Sequence, residues 1–418
     1  MIYEICLIDS LYHDFFDFVN TIREIYKIAK RITIVLRSKL ISVFFIDNRV
    51  GLWYTVSGYT KHKIKKGDRR MKKLRFGIIG AGGIADRRTI PGMMLAKNVE
   101  VVAVMEINAD HAEALRAKYG AKYAYTSAEE LVKNDEVDAV YIASPVVCHK
   151  DQAMLAADHG KHILLEKPIA MNASEGDDLL AYCEKKGVMV AAGFMMRFGA
   201  HIMTMKKSVA EGKIGQVVSG YSQFTLWCPR EEGNWRQVKA KSGGGCLMDM
   251  GVHCIDLMEY IIGSRVCEVG AFNETVAFDY DVEDSSTVML RMKNGAQCVV
   301  QTNFNIPDEV SKWRLEFFGT RGRLMGDTVI GQNDGGKLNA AFLDGVVGYS
   351  ATQNHADMEG DFLEGDFGNM YTREVESFAD SVLNGKPLEV PASDALHVQK
   401  VIEAAYRSSQ EHILIPIE

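Results

Sequence analysis

The sequence predicts an α/β protein of two or three domains whose folded part opens on a parallel sheet, and three observations carry that expectation. Apolar strand-like runs alternate with helix-compatible stretches from Leu74 to Pro168, a glycine turn follows the first of these runs, and 418 residues with 47% hydrophobic content suffice for a large core. The formal charge of −7 argues against a nucleic-acid or anionic-membrane surface, which needs a clustered basic face, and favours small-molecule work. Eight scattered cysteines without a CxxC pair predict neither a disulfide framework nor a structural zinc site; reduced thiols suit the cytoplasm. The most apolar stretch, residues 32–46, is interrupted by Arg37 and Lys39, so no membrane span is expected. The first residues also lack the basic opening of a signal peptide.

Residues 1–70 differ in texture from the rest, being rich in Ile, Phe and Tyr with one alanine, Ala29. They read either as a helical, partner-binding extension, since "HDFFDFVNTIREIYKIAKRI" has some helical spacing of apolar groups, or as residues ahead of the native start. The second is the expectation. "KKGDRR" can be written in purine-rich codons resembling a ribosome-binding site, and "MKKLRFGIIG" opens a domain naturally at Met71.

The first strand, Leu74 to Ile79, runs into "GAGGIA", which fits G-x-G-x-x-[GA] with Gly80, Gly82 and Ala85 and includes Gly83 and Ile84. Gly80 permits the tight turn, Gly82 lets a pyrophosphate approach the backbone, and Ala85 lets the next helix sit close to the strand. That helix then offers its N-terminus to the phosphates. A Rossmann domain is therefore expected. The second strand, "VEVVAVME", ends at Glu106, where a carboxylate accepts hydrogen bonds from ribose hydroxyls and repels a 2′-phosphate; NAD is expected over NADP.

A helix over about 108–119, another near "SAEELVKN", the strand "VDAVYIAS", a helix ending near His159 and the strand "KHILLEKP" continue the alternation. Ser144, Pro145 and His149 lie where the "VDAVYIAS" strand leaves the sheet, at the carboxyl edge where open α/β folds bind ligands. His149 reads equally as cofactor-facing or as a structural histidine at a helix start. Glu166 and Lys167 end the last strand, Pro168 stops its ladder, and Lys167 is aimed off the same edge.

In "SGGGCLMDMGVHCIDLMEYIIG", residues 242–263, three ionisable groups sit in an apolar helix. Asp249 to His253 is a step of four and His253 to Asp256 a step of three, so all three share one helix face. Buried charges must be paired or employed. The three can be a core histidine satisfied by a carboxylate, or an Asp-His-Asp metal site, though no matching carboxylate cluster occurs elsewhere and no metal is expected. They can also be catalytic: taking a proton from an alcohol needs a base near neutrality, which histidine supplies, and a cation to steady the alkoxide.

These motifs, with "MMRF" at 195–198 and "NWR" at 234–236, resemble the glucose-fructose oxidoreductase / inositol dehydrogenase / rhizopine-catabolism family of nicotinamide-dependent oxidoreductases, from about Leu74 to the C-terminus. The resemblance implies a Rossmann domain over 71–193 and an α/β domain over 194–418 built on a large open, mostly antiparallel sheet. The cofactor would lie between them, and the sheet would join copies into a dimer or tetramer. It implies His253 as base, Asp249 holding a substrate hydroxyl and tuning His253, and Lys167 positioning the reacting oxygen. Asp256 would anchor its helix, and Arg197, Trp235 and Arg236 would border nicotinamide or substrate.

The implied activity is hydride transfer between NAD and a secondary hydroxyl of a sugar, polyol, inositol or glycoside. The alternatives are an NAD-dependent glycosidase working through a transient keto-sugar, and a noncatalytic nicotinamide-responsive regulator. In the second half, hairpins are expected at Asn294-Gly295 and about Gly319–Gly322. Helices are expected over "MYTREVESFADSVL" and "SDALHVQKVIEAAYRSS", the latter capped by Ser393, and residues 329–369 read as variable loop.

Overall fold

A computed structural model describes residues 72–345, 348–349 and 359–417, together with a short antiparallel pair, β1 (Phe45–Ile46) and β2 (Trp53–Tyr54). The chain divides into two compact units, Met1–Arg70 and Met71–Glu418. Both readings of residues 1–70 as an extension fall outside the described residues.

In the second unit, β3 (Leu74–Ile79), β4 (Val99–Met105), β5 (Tyr123–Tyr125), β6 (Ala139–Ile142), β7 (His162–Leu165) and β8 (Val190–Ala192) form a six-stranded sheet in the order β5-β4-β3-β6-β7-β8. Every pairing in it is parallel. β6 is buried along its whole length because crossover helices cover both faces of such a sheet. The order reverses between β3 and β6, and an open α/β fold leaves a crevice at that point. Gly80, at φ 75°, ends β3 there, and a Cβ on it would lie 2.7 Å from the Ser144 backbone N.

The second sheet holds β9 (Val217–Thr225), β10 (Val266–Glu274), β11 (Ser285–Met292), β12 (Gln297–Asn303), β13 (Leu315–Gly319), β14 (Gly322–Asp327), β15 (Lys337–Phe342), β16 (Asp361–Phe362) and β17 (Ile415–Pro416). Its order is β16-β15-β14-β13-β9-β12-β11-β10-β17, antiparallel except where β9 runs parallel to β12. Along β11 and β12 burial alternates residue by residue, the mark of a sheet with one packed face. The helix Val252–Ile262 lies on the packed face. Gly220 of β9 makes the approach possible: a Cβ there would sit 2.9 Å from both Cys298 Sγ and Met258 Sδ.

Both hairpins form, one with Gly295 at φ 91° and one closing on the Gly319–Gly322 pair. Two expectations need correction. Residues 329–369 contain β15 and β16; "KLNAAF" escapes a pattern reading because Ala and Asn are poor strand formers, yet Leu338 and Ala340 face the core. Ser393 does not cap its helix. Ala392–Glu411 starts a residue earlier with Pro391 at the cap position, where its extended backbone (ψ 141°) precedes the first turn.

The chain also returns to the first sheet. The helix Met370–Asn384 packs Val375, Phe378 and Ala379 into the core that holds Phe76 and Ile78. A boundary at residue 193 thus separates the two sheets but not the helices that cover them.

Candidate active site

Between the carboxyl edge of the parallel sheet and the start of the helix on the second sheet lies a cavity of about 490 Å³. Its wall includes Ile84, Ser144, His149, Glu166, Lys167 and Trp235, and also Arg236, Asp249 and His253. Each arrives by a local cause.

Of the three glycines before Asp249, the first serves the turn and the other two close contact. Gly243 has φ 79°, while a Cβ on Gly244 would come within 2.0 Å of Tyr406 Oη and one on Gly245 within 1.9 Å of the Glu283 carbonyl oxygen. The turn so packed is tied down by the buried Glu283 carboxylate, which accepts from the Gly245 and Leu247 N–H groups (2.9 and 3.0 Å) and from Tyr406 Oη (2.8 Å). The helix then begins with a π-turn, Leu247–Gly251, that carries Asp249, and continues as α-helix through His253.

Lys167, at the end of β7, reaches across and donates from Nζ to the Asp249 carbonyl (2.7 Å) and to Asp249 Oδ1 (2.8 Å). Arg236, lying over the Trp235 ring, donates from Nε to Asp249 Oδ2 at 3.3 Å. Burial alone would raise the Asp249 carboxyl, but Lys167 and Arg236 outweigh it and hold the group well below the usual carboxylate range. His253 beside them is pushed the other way. Burial, and then the Lys167 charge, force its imidazole well below 6.5, with Asp249 offsetting only part. It stands edge-on to Phe194, and its buried Nδ1 has no hydrogen-bond partner among the described residues. A neutral imidazole, an ammonium and an ionised carboxylate thus meet at one wall, able to take a proton and to steady an oxyanion.

The glycine turn fits a dinucleotide. Gly82 N–H donates to Glu106 Oε1 at 2.6 Å, and a Cβ on Gly82 would press on that oxygen at 2.9 Å. This leaves the second carboxylate oxygen for a ribose hydroxyl. Around Gly83, at φ 54°, a Cβ would meet nothing within 4 Å, which is open ground for a phosphate. Of this turn Ile84 lines the cavity, while Gly80, Gly82, Gly83 and Glu106 lie beyond its wall, as does Pro145.

Some expected roles change. Arg197 does not line the cavity: 4% exposed, it donates from Nε and Nη2 to Asp256 and from Nη1 to Asp394 Oδ2 (2.9 Å) and the Glu389 carbonyl. A guanidinium buried and engaged in this way is turned to the two carboxylates and away from the cavity. Its partner Asp256, 1% exposed, sits one step deeper along the helix than His253, so the shared face of the three ionisable groups divides into a cavity-facing pair and an anchor. Burial pushes the Asp256 carboxyl up to about 6, against the pull of Arg197. Among the described residues no group of three or more His, Cys, Asp and Glu is placed to hold a metal.

His149 is 2% exposed, with its ring between the Ser144 carbonyl (2.9 Å from Nε2) and the Pro168 carbonyl (2.8 Å from Nδ1); the neutral ring has one N–H and donates to one of the two, while the side chain forms part of the wall. Glu166 is held by Tyr141 Oη at 2.5 Å. Arg87, Arg88, Trp313 and Tyr371 also line the cavity and escaped the sequence reading. Arg87 and Arg88 follow the glycine turn directly and could have been found there; Trp313 and Tyr371 come from a hairpin and a distant helix, and no local signal marks them.

A glycine turn that fits a dinucleotide, set on the same cleft as a proton-handling cluster, defines a dinucleotide-dependent oxidoreductase. The chain belongs to the GFO/IDH/MocA oxidoreductase family: residues 74–194 match "Oxidoreductase family, NAD-binding Rossmann fold" and residues 202–325 match "GFO/IDH/MocA C-terminal domain". It is similar to a 1,5-anhydro-D-fructose reductase from Ensifer adhaerens, 29% identical over 272 residues, 65% of this chain and 81% of that one. It is also similar to a myo-inositol 2-dehydrogenase from Thermotoga maritima, 26% identical over 363 residues, 82% and 99% of the two chains. The crystal structure of an aldose-aldose oxidoreductase from Caulobacter crescentus complexed with glycerol shares the fold, with a TM-score of 0.74 at 23% identity over 82% of this chain and all of that one.

Proposed function

We propose that the protein moves a hydride between NAD and a secondary hydroxyl of a sugar, polyol, inositol or glycoside, with His253, Lys167 and Asp249 as its reaction centre. The observation that carries this reading is the Lys167–Asp249 pair, made by the end of one sheet and the helix of the other, beside a buried neutral imidazole. Gly80, Gly82, Gly83 and Glu106 would hold the dinucleotide, with Ser144, Glu166 and Trp235 toward its nicotinamide end. When bound, NAD supplies the hydride acceptor.

His253, neutral, accepts the hydroxyl proton at its imidazole. Lys167 Nζ donates to the same oxygen as negative charge develops there. Asp249, ionised, fixes Lys167 by two hydrogen bonds and offers its carboxylate to a neighbouring hydroxyl. In the reverse direction the imidazolium returns the proton. The named relatives, which act on an anhydro-sugar and a cyclitol, support the polyhydroxylated substrate class.

The test is product analysis of a polyol, sugar and glycoside panel with wild type and Lys167→Ala. Replacing Lys167 is expected to lower kcat by about 10²-fold or more with NAD affinity little changed. Unchanged turnover in the variant would sink the assignment; aglycone release without net reduced cofactor would move it to the glycosidase reading.

The open face of the second sheet presents Phe272, Met289 and Phe318, 65%, 50% and 37% exposed; Met289, Val299 and Tyr221 stand side by side in register and meet Glu316 next, and these exposed apolar side chains support a homo-oligomer formed through that face.

A further inference from the structure

We infer that Trp313 is a specificity-determining residue of the cleft, a flat apolar platform on which the ring of a cyclic sugar stacks. The inference rests on the function proposed above and adds which form of polyhydroxylated substrate the cleft selects.

Trp313 precedes β13 and forms part of the cavity wall with Phe224 of β9. Its backbone has φ 42°, in the left-handed region that a bulky aromatic residue avoids. Such a conformation persists only where the surroundings over-determine it, and it concentrates at ligand sites. Here three contacts do so. Indole Nε1 donates to Thr225 Oγ1 at 3.2 Å, Phe224 packs edge-on at 5.5 Å between centroids, and Gly331, at φ 126°, comes so near that a Cβ on it would lie 3.1 Å from Trp313 Cζ3.

The indole nevertheless stays half-buried at the wall. Because its one N–H is already engaged by Thr225, what it offers the cavity is apolar surface and no donor. A sugar ring has a polar rim of hydroxyls and a face of C–H groups. Lys167, Asp249 and Arg236 suit the rim, and a rigid indole suits the face. An open-chain alditol carries the same hydroxyls but no preformed face.

The experiment compares wild type, Trp313→Leu and Trp313→Phe as full-length holoenzyme on cyclic substrates (methyl pyranosides, inositols) and open-chain alditols, with NAD affinity measured alongside. Trp313→Leu is expected to raise KM for cyclic substrates about tenfold, with kcat within about threefold and alditol KM within about twofold; Trp313→Phe recovers most of the loss. Should Trp313→Leu not fold, Trp313→Phe carries the same comparison through a smaller KM rise confined to cyclic substrates. Equal losses on both substrate sets, or a loss confined to NAD affinity, overturn the platform role. A wild type that oxidises sugars while the variants keep its selectivity overturns this inference alone; a wild type that turns over neither set and binds no NAD overturns the proposed function with it.

Discussion

His253 owes its chemistry to its surroundings. An imidazole in water titrates near 6.5, but burial and the Lys167 charge hold this one neutral far below that. On the proposed mechanism the neutral ring takes the hydroxyl proton, so the acid limb of kcat/KM is expected well below pH 6.5, with a flat profile above it. A pH-rate series with a poor substrate, where chemistry limits turnover, checks this; a limb centred near 6.5 would show that the ring is solvated in the working complex. Sequence spacing alone put Asp249 and His253 on one helix face. The resemblance implied that Asp256 anchors its helix, but that its partner is Arg197 was not legible, because the two lie 59 positions apart along the chain.

The turn before this helix and the strand ends opposite it place those side chains. Gly245→Ala would drive a methyl group into the Glu283 carbonyl, at 1.9 Å from ideal geometry, and neither backbone has room to move. A loss of about 3 kcal/mol or more is expected, read from the midpoint of denaturant unfolding, with activity falling in step as Asp249 shifts. His149 gives the strand ends a pH dependence. Its folded pKa is pushed down to about 4 from 6.5, chiefly by burial. Between those values the unfolded chain binds a proton that the folded chain refuses, so its contribution is whole above 6.5 and is lost as pH falls through the window. The loss amounts to about 3 kcal/mol. In His149→Gln the fall in stability between pH 6.5 and 4 is expected to shrink by that amount, measured by unfolding at each pH. The alternation of strands and helices was readable because the longer parallel strands are mostly apolar runs. β15 was not, since its alanines and asparagine mimic a loop.

Lys167–Asp249 carries charge between the two lobes of the second unit, and a larger network of charges ties the second lobe together. Arg197 brings Asp256 of the helix on the second sheet together with Asp394 of the C-terminal helix, and Arg265 binds Asp394 and Glu259 from the other side. On the far side of that sheet Phe272, Met289 and Phe318 are exposed among the described residues. Lysine at Met289 or Phe272 would set a charge in the middle of an apolar contact, so Met289→Lys and Phe272→Lys are expected to yield smaller particles in sedimentation velocity than the wild type, with the fold intact by circular dichroism. Identical sedimentation of all three would remove the sheet face as the interface. Among the described residues no helix is long and apolar enough to cross a membrane.

Local rules act over a few residues, and they sufficed for four strands of the parallel sheet (β3, β4, β6 and β7), the glycine turn with its acidic partner Glu106, both hairpins and the helix that carries Asp249 and His253, while the three-residue β5 and β8 escaped them. What they could not supply is any contact between distant stretches: Lys167 on Asp249, 82 positions apart; Arg197 withdrawn from the cleft into an ion pair; Trp313 brought to its wall. Those depend on how two sheets pack through shared helices. A buried charge or ring takes its role from whichever neighbours that packing delivers, and periodicity along a chain carries no information about them.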